Sequence, residues 1–90
     1  MYFEWNPHKA EINLKKHNIS FPETTTVFGD PLAITFDDPD HSTGEFRLLT
    51  FGSTKMGKLI VVSHTERDGS MRIISARRMT KQERKIYETG

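Results

Sequence analysis

Ninety residues, 34 % of them hydrophobic, supply one domain spanning 1–90, with apolar material for a single layer of helix on sheet. The absence of cysteine excludes disulfides and thiolate metal sites and fits a reducing, cytoplasmic setting; the longest apolar run, Leu59-Ile60-Val61-Val62, is far short of the ~20 residues of a membrane span. The net charge of +1 hides a split, because residues 18–54 carry Arg47 against six acids while residues 55–90 carry nine Lys and Arg against four acids. A basic half of this kind attracts a polyanion or an acidic protein.

Along the chain, Tyr2-Phe3-Glu4-Trp5 reads as a short strand, with no apolar run of signal-peptide length. Asn6-Pro7 supplies a cap and a first-turn proline for a helix over residues 7–17, with Ala10, Leu14 and His17 at helical spacing and Asn18 as its left-handed end. Ser20-Phe21-Pro22-Glu23 is a capping-box pattern that opens a second helix running to about Phe28, with Ile19 as its apolar staple. Gly29-Asp30-Pro31 ends it, and strands follow over Leu32–Phe36 and Glu45–Phe51, separated by the loop Asp37–Gly44. Leu59–Arg67 and Met71–Arg78 form a hairpin around Asp68-Gly69, the dipeptide of a type I′ turn. Thr80-Lys81-Gln82-Glu83 repeats the capping box and opens a last helix ending near Tyr87. The order β-αα-ββββ-α predicts an α+β fold with helices on one face of an antiparallel sheet.

The hairpin turn fixes register, and strict alternation then sorts side chains onto two faces. One face is expected to hold Ile60, Val62, His64, Glu66, Met71, Ile73, Ser75 and Arg77. The other, with Leu59, Val61, Ser63, Thr65, Arg72, Ile74, Ala76 and Arg78, is expected to pack beneath the helices. His, Glu and Arg on one strand face suit RNA cleavage by the 2′-hydroxyl without metal. His64 or Glu66 would serve as base or acid, and Arg77 would hold the phosphate bidentately. The plainer reading is a structural histidine beside surface ion pairs. Asp37-Asp38-x-Asp40-His41 lacks calcium-loop spacing and reads as a solvated turn, and Trp5 and Phe36 read as core. No P-loop, dinucleotide motif, nucleophile elbow or zinc pattern occurs, so no cofactor or metal is expected.

Phe3-Glu4-Trp5-Asn6, Asn13 to Phe21, Val27 to Leu32 and Asp38 to Ser42 resemble segments of the BrnT toxins in the same order. The likeness is strongest at His64-Thr65-Glu66-Arg67 and Arg72 to Thr80, then Glu83-Arg84 and Tyr87. The resemblance implies a RelE-like fold and a type II toxin that cleaves RNA without metal and arrests translation. It also implies a ribbon-helix-helix antitoxin of BrnA type, joined in a toxin2–antitoxin2 complex that binds promoter DNA. By position, it puts His64, Glu66, Arg67 and Arg77 in the catalytic set and Arg72, Arg78 and Arg84 on the RNA. The chain departs from the RelE pattern of several lysines and a tyrosine at the site, which leaves the choice of base between His64 and Glu66 open. An acidic antitoxin segment would cover Arg77 and Arg78. The alternative from another class is a non-catalytic module whose basic face docks nucleic acid or an acidic partner; cleavage in EDTA separates the two.

Overall fold

The computed structural model describes residues 2–38 and 46–90. Strand β1 (Tyr2–Glu4) leads into helices α1 (Pro7–His17) and α2 (Phe21–Thr25), the latter tightening into a 3₁₀ turn (Thr26–Gly29). Strands β2 (Ile34–Asp37), β3 (Leu48–Ser53), β4 (Leu59–Arg67) and β5 (Ser70–Arg78) follow, and helix α3 (Lys81–Thr89) closes the order. The expected β-αα-ββββ-α succession is therefore the observed one. Most of the loop expected over Asp37–Gly44 lies outside the described residues; Asp38 is described and is buried, not the solvated turn residue expected. Among the described residues no helix is long and apolar enough to cross a membrane.

Local chemistry sets the helix ends. The Asn6 side chain accepts from the His8 and Lys9 N–H groups, and Asn18 takes the left-handed conformation at φ 56°. Ser20 accepts from Glu23 N–H, but Glu23 does not complete the expected box. Its carboxylate reaches Lys58 Nζ at 3.1 Å and accepts from Thr54 Oγ1 at 2.9 Å, tying α2 to the β3–β4 turn. At α3 the box is complete between Thr80 and Glu83.

The sheet order is β1-β5-β4-β3-β2. The hairpin pairs Arg67 with Ser70 and Glu66 with Met71, and Asp68 and Gly69 both have positive φ, as a type I′ turn requires. Two expectations are corrected. β1 pairs with β5 in parallel, so the sheet is mixed: the chain passes through both helices and three strands before β5 returns beside β1. The helices also do not share one face. α1, α2 and the 3₁₀ turn cover Ile60, Val62, Met71, Ile73 and Ala76 with Ile19, Phe21 and Val27. α3 lies on the opposite face, where Tyr87 joins Phe51, Val61 and Met79. The Tyr87 hydroxyl donates to Asp30 Oδ2 at 2.6 Å and anchors the helix end. Burial pushes the Asp30 carboxyl up, but the bonds from Tyr87, Ser53 N–H and Leu32 N–H outweigh it and hold it below its ordinary value. Trp5 packs edge-on to Phe21, as expected of core, whereas Phe36 stays 40 % exposed beside Phe51.

β1 pairs only as far as Glu4 with Arg72, so the upper edge of β5 needs another cover. Asn13, 6 % exposed, supplies it: its Oδ1 accepts from Ala76 N–H at 3.1 Å and its Nδ2 donates to Ile19 O. Asn13→Ala strands both backbone groups, and the expected loss is about 2 kcal/mol of stability, read from urea denaturation.

Candidate functional site

β5 carries a bulge that decides the site. Ser63 pairs with Ser75 but His64 pairs with Ile73, leaving Ile74 as an extra residue. An extra residue reverses the alternation beyond it. Met71, Ile73 and Ala76 consequently share the helix-covered side with Ile60, Val62, His64 and Glu66, while Arg72, Ser75 and Arg77 share the other side with Thr65, Ser63 and Val61. The expected face holding His64, Glu66 and Arg77 together does not exist. On β4, and on β5 as far as Ile73, the face expected beneath α1 and α2 is the open one and the expected polar face is the core; past the bulge Ser75 and Arg77 cross to the open side and Ala76 and Arg78 to the helix side.

His64 is 2 % exposed. The Phe28 ring meets it edge-on at 5.0 Å, Nε2 lies 2.7 Å from Thr50 Oγ1, and Thr50 in turn lies 2.8 Å from Thr35 Oγ1. Nδ1 is buried without a hydrogen-bond partner. Burial pushes the imidazole down to about 4. Glu66 is exposed beside the turn, on the helix side, five residues along β4 from Val61, the partner of Arg77, or roughly 17 Å along the strand.

The open face brings other groups together. Asp38, Arg47, Leu49, Ser63, Ser75 and Arg77 line a groove of about 330 Å³, with Ile74 at its rim. Arg77 Nη1 donates to Glu83 Oε1 at 2.7 Å and Nη2 donates to Glu83 Oε2 at 2.8 Å; Nη1 also donates to Arg78 O at 3.3 Å. These bonds use the end of the fork. Among the described residues nothing takes Nε–H or the second Nη2–H, the side-on edge that also fits a phosphate. The pairing raises the Arg77 guanidinium, and Arg77 above all, with Thr80 N–H behind it, holds the Glu83 carboxyl down at about 2 against the upward push of burial.

Arg67 stands on this open face at the hairpin tip, opposite Ser70. Arg72 stands on it between them and pairs with Glu4 at 3.5 Å. Arg78 falls on the other side, so Arg77 and Arg78, expected under one acidic segment, point apart. Arg78 instead shares a second groove with Gly57, Leu59, Met79 and Arg84, and Arg84 reaches Glu88 at 3.7 Å. Sequence reasoning missed Asp38, Arg47, Ser63 and Glu83. One signal was present, since Arg47 is the sole base among residues 18–54.

Residues 5–83 match the family profile described as ribonuclease toxin, BrnT, of type II toxin–antitoxin system. The chain belongs to the BrnT ribonuclease toxin family. Membership implies an RNA target and an antitoxin partner. Among solved structures, the crystal structure of the Brucella abortus ribonuclease toxin BrnT superposes with a TM-score of 0.71 over 90 % of this chain and 99 % of that one, at 20 % identity, a likeness of fold. Comparison with curated proteins gives no match. The BrnT resemblance read from the sequence is thus borne out over most of its length.

Proposed function

We propose that this BrnT-family chain is a metal-independent endoribonuclease with a RelE-like arrangement, working as one domain, that inhibits translation by cleaving RNA on the open sheet face. The observation that carries the proposal is the Arg77 guanidinium. Its end is fixed by Glu83 and, among the described residues, its side-on edge is untaken beside a groove that holds hydroxyls and a carboxylate. Attack of a 2′-hydroxyl on the adjacent phosphorus breaks the bond to the 5′-oxygen and passes through a phosphorane whose charge needs a fixed cation. Arg77 holds that phosphate, Arg72 and then Arg67 lie successively farther along the same face for the rest of the strand, and Arg78 and Arg84 meet RNA at the rim. Neither His64 nor Glu66 reaches the groove. Among the described residues the carboxylate that lines it is Asp38, which accepts the 2′-hydroxyl proton, while the leaving 5′-oxygen takes its proton from water in the open groove. His64 becomes a packing residue behind β4.

The proposed partner is a ribbon-helix-helix antitoxin of BrnA type, in a toxin2–antitoxin2 complex that contacts promoter DNA through the antitoxin. Its acidic segment would exclude RNA by covering Arg72 and Arg77. Purified protein is expected to cleave RNA in EDTA, and the antitoxin to stop it. Asp38→Asn should slow cleavage while leaving RNA affinity within about twofold. RNA binding without cleavage or toxicity would instead establish a non-catalytic module, and dependence on added metal would overturn the mechanism.

A further inference from the structure

The groove on the open face does not end at the edge of the sheet. Ile74 and Ser75, the bulge and its neighbour, line it on one side and also line a second groove of about 200 Å³ against α1. Lys9, Ile12, Lys16 and His17 form the far wall of that second groove. The two grooves meet at Ile74 and Ser75, on the stretch of β5 past Arg72 where β1 no longer pairs and below the point where Asn13 covers Ala76. Helical spacing explains the wall: residues 9, 12, 13 and 16 fall on one stripe, with the two lysines about 10 Å apart along the axis. Among the described residues no carboxylate lines the α1 groove. Ile12, 49 % exposed, adds apolar surface beside the charges.

We propose that the α1–β5 groove carries the RNA strand flanking the scissile phosphate, with Lys9 and Lys16 on successive stretches of its backbone and Ile12 and Ile74 against a base. This rests on the reading that RNA lies on the open face. RNA is favoured over an acidic peptide because the path runs on from the Arg77 groove, so a strand held there has its continuation here. Two cations spaced along a groove, with apolar surface between them, also suit a repeating phosphate backbone. Nothing in the sequence pattern marked these lysines.

The test uses 2′-O-methylated RNA, which cannot be cleaved, in a short form of about four nucleotides that fits one groove and a long form of about twelve. Lys9→Gln with Lys16→Gln is expected to weaken the long form about tenfold or more. It should lower the slope of log affinity against log salt by about 1.4, as expected for two lost single-strand phosphate contacts. The short form should bind within about twofold of the parent protein. Lys15→Gln is the control, since Lys15 neighbours Lys16 in sequence but faces Glu11 at 3.9 Å and does not line the groove. Equal loss in Lys15→Gln, or no loss in the double variant, would overturn the proposal. So would a double variant that keeps RNA affinity but loses the antitoxin, which makes the groove a protein-docking site. Failure of the open-face reading shows separately, as short-form binding that Arg77→Ala leaves unchanged.

Discussion

Arg77→Ala is expected to lower RNA cleavage by two to three orders of magnitude, roughly what the loss of one fixed donor to a developing oxyanion costs. Arg77→Lys should fall nearly as far. A lysine keeps the charge, but it has no fork with which to grip Glu83 by one edge and a phosphate by the other. The fold should survive both changes. Arg77 is 44 % exposed at the side chain, so the pair with Glu83 lies in the range of surface ion pairs, and its removal is expected to cost about 1 kcal/mol. A titration of Glu83 followed by NMR gives an independent check. With Arg77 gone, its carboxyl should rise from about 2 towards the ordinary value, held back by the backbone and side chain of Thr80. Cleavage at the parental rate in Arg77→Ala, with Glu83 shifted as stated, would remove Arg77 from the mechanism.

The contrast between the two arginines at the end of β5 shows what the sequence reveals and what it hides. Element positions are written in local chemistry. Asn6-Pro7, Asn18, Ser20, Asp68-Gly69 and Thr80 each act within a few residues of themselves, and each stands at the end of an element or within two residues of it. The hairpin register near the turn is local in the same sense and follows the expected pairs from Arg67–Ser70 to His64. Beyond that point register depends on the bulge at Ile74. A bulge forms because the core wants both Ile73 and Ala76, three residues apart, on its side, which unbroken alternation cannot supply. The adjacent pair Ile73-Ile74 is the trace it leaves in the sequence, and a doubled apolar residue has many other causes. The same non-local logic hid the parallel place of β1 and the crossing of α3 to the open face. α3 goes there because Phe51, Val61 and Met79 form a second apolar cluster, with residues from three segments that touch only when folded. The site inherits this: Arg77 could be singled out from the sequence, whereas its neighbours lie just past the end of β2 (Asp38), just before β3 (Arg47) and on β4 (Ser63), segments brought together only by tertiary packing.

His64 should make the protein acid-labile well above the range in which carboxylates protonate. A proton on Nδ1 would find no acceptor, so the neutral ring is best served with its proton on Nε2, donated to Thr50 Oγ1, which also shares a hydrogen bond with Thr35 Oγ1; the Nδ1 lone pair then stays unpartnered. The charged ring needs an acceptor at Nδ1, and the described residues give it none. The folded state therefore holds His64 at about 4, against 6.5 unfolded. The unfolded chain binds the extra proton first, so this contribution is complete above pH 6.5 and drains away as the pH falls towards 4. The full difference amounts to about 3 kcal/mol, a large share of the stability of a small domain. His64→Leu removes both the titration and the orphaned nitrogen at the cost of one bond to Thr50, which keeps Thr35. The variant is expected to lie within about 1 kcal/mol of the parent at pH 7, with urea midpoints that stay flat down to the acid range where Glu83 takes over. Between pH 4.5 and 2 both proteins should weaken as Glu83 protonates, because its lowered value stabilises only the ionised side. The same pair of proteins settles the role of the ring in catalysis. If His64 takes the 2′-hydroxyl proton, His64→Leu is inactive at pH 7. If it only packs β4 behind the Ser63 groove, the variant cleaves at pH 7 and keeps cleaving at acid pH where the parent has unfolded, and the burial of the imidazole favours this second result.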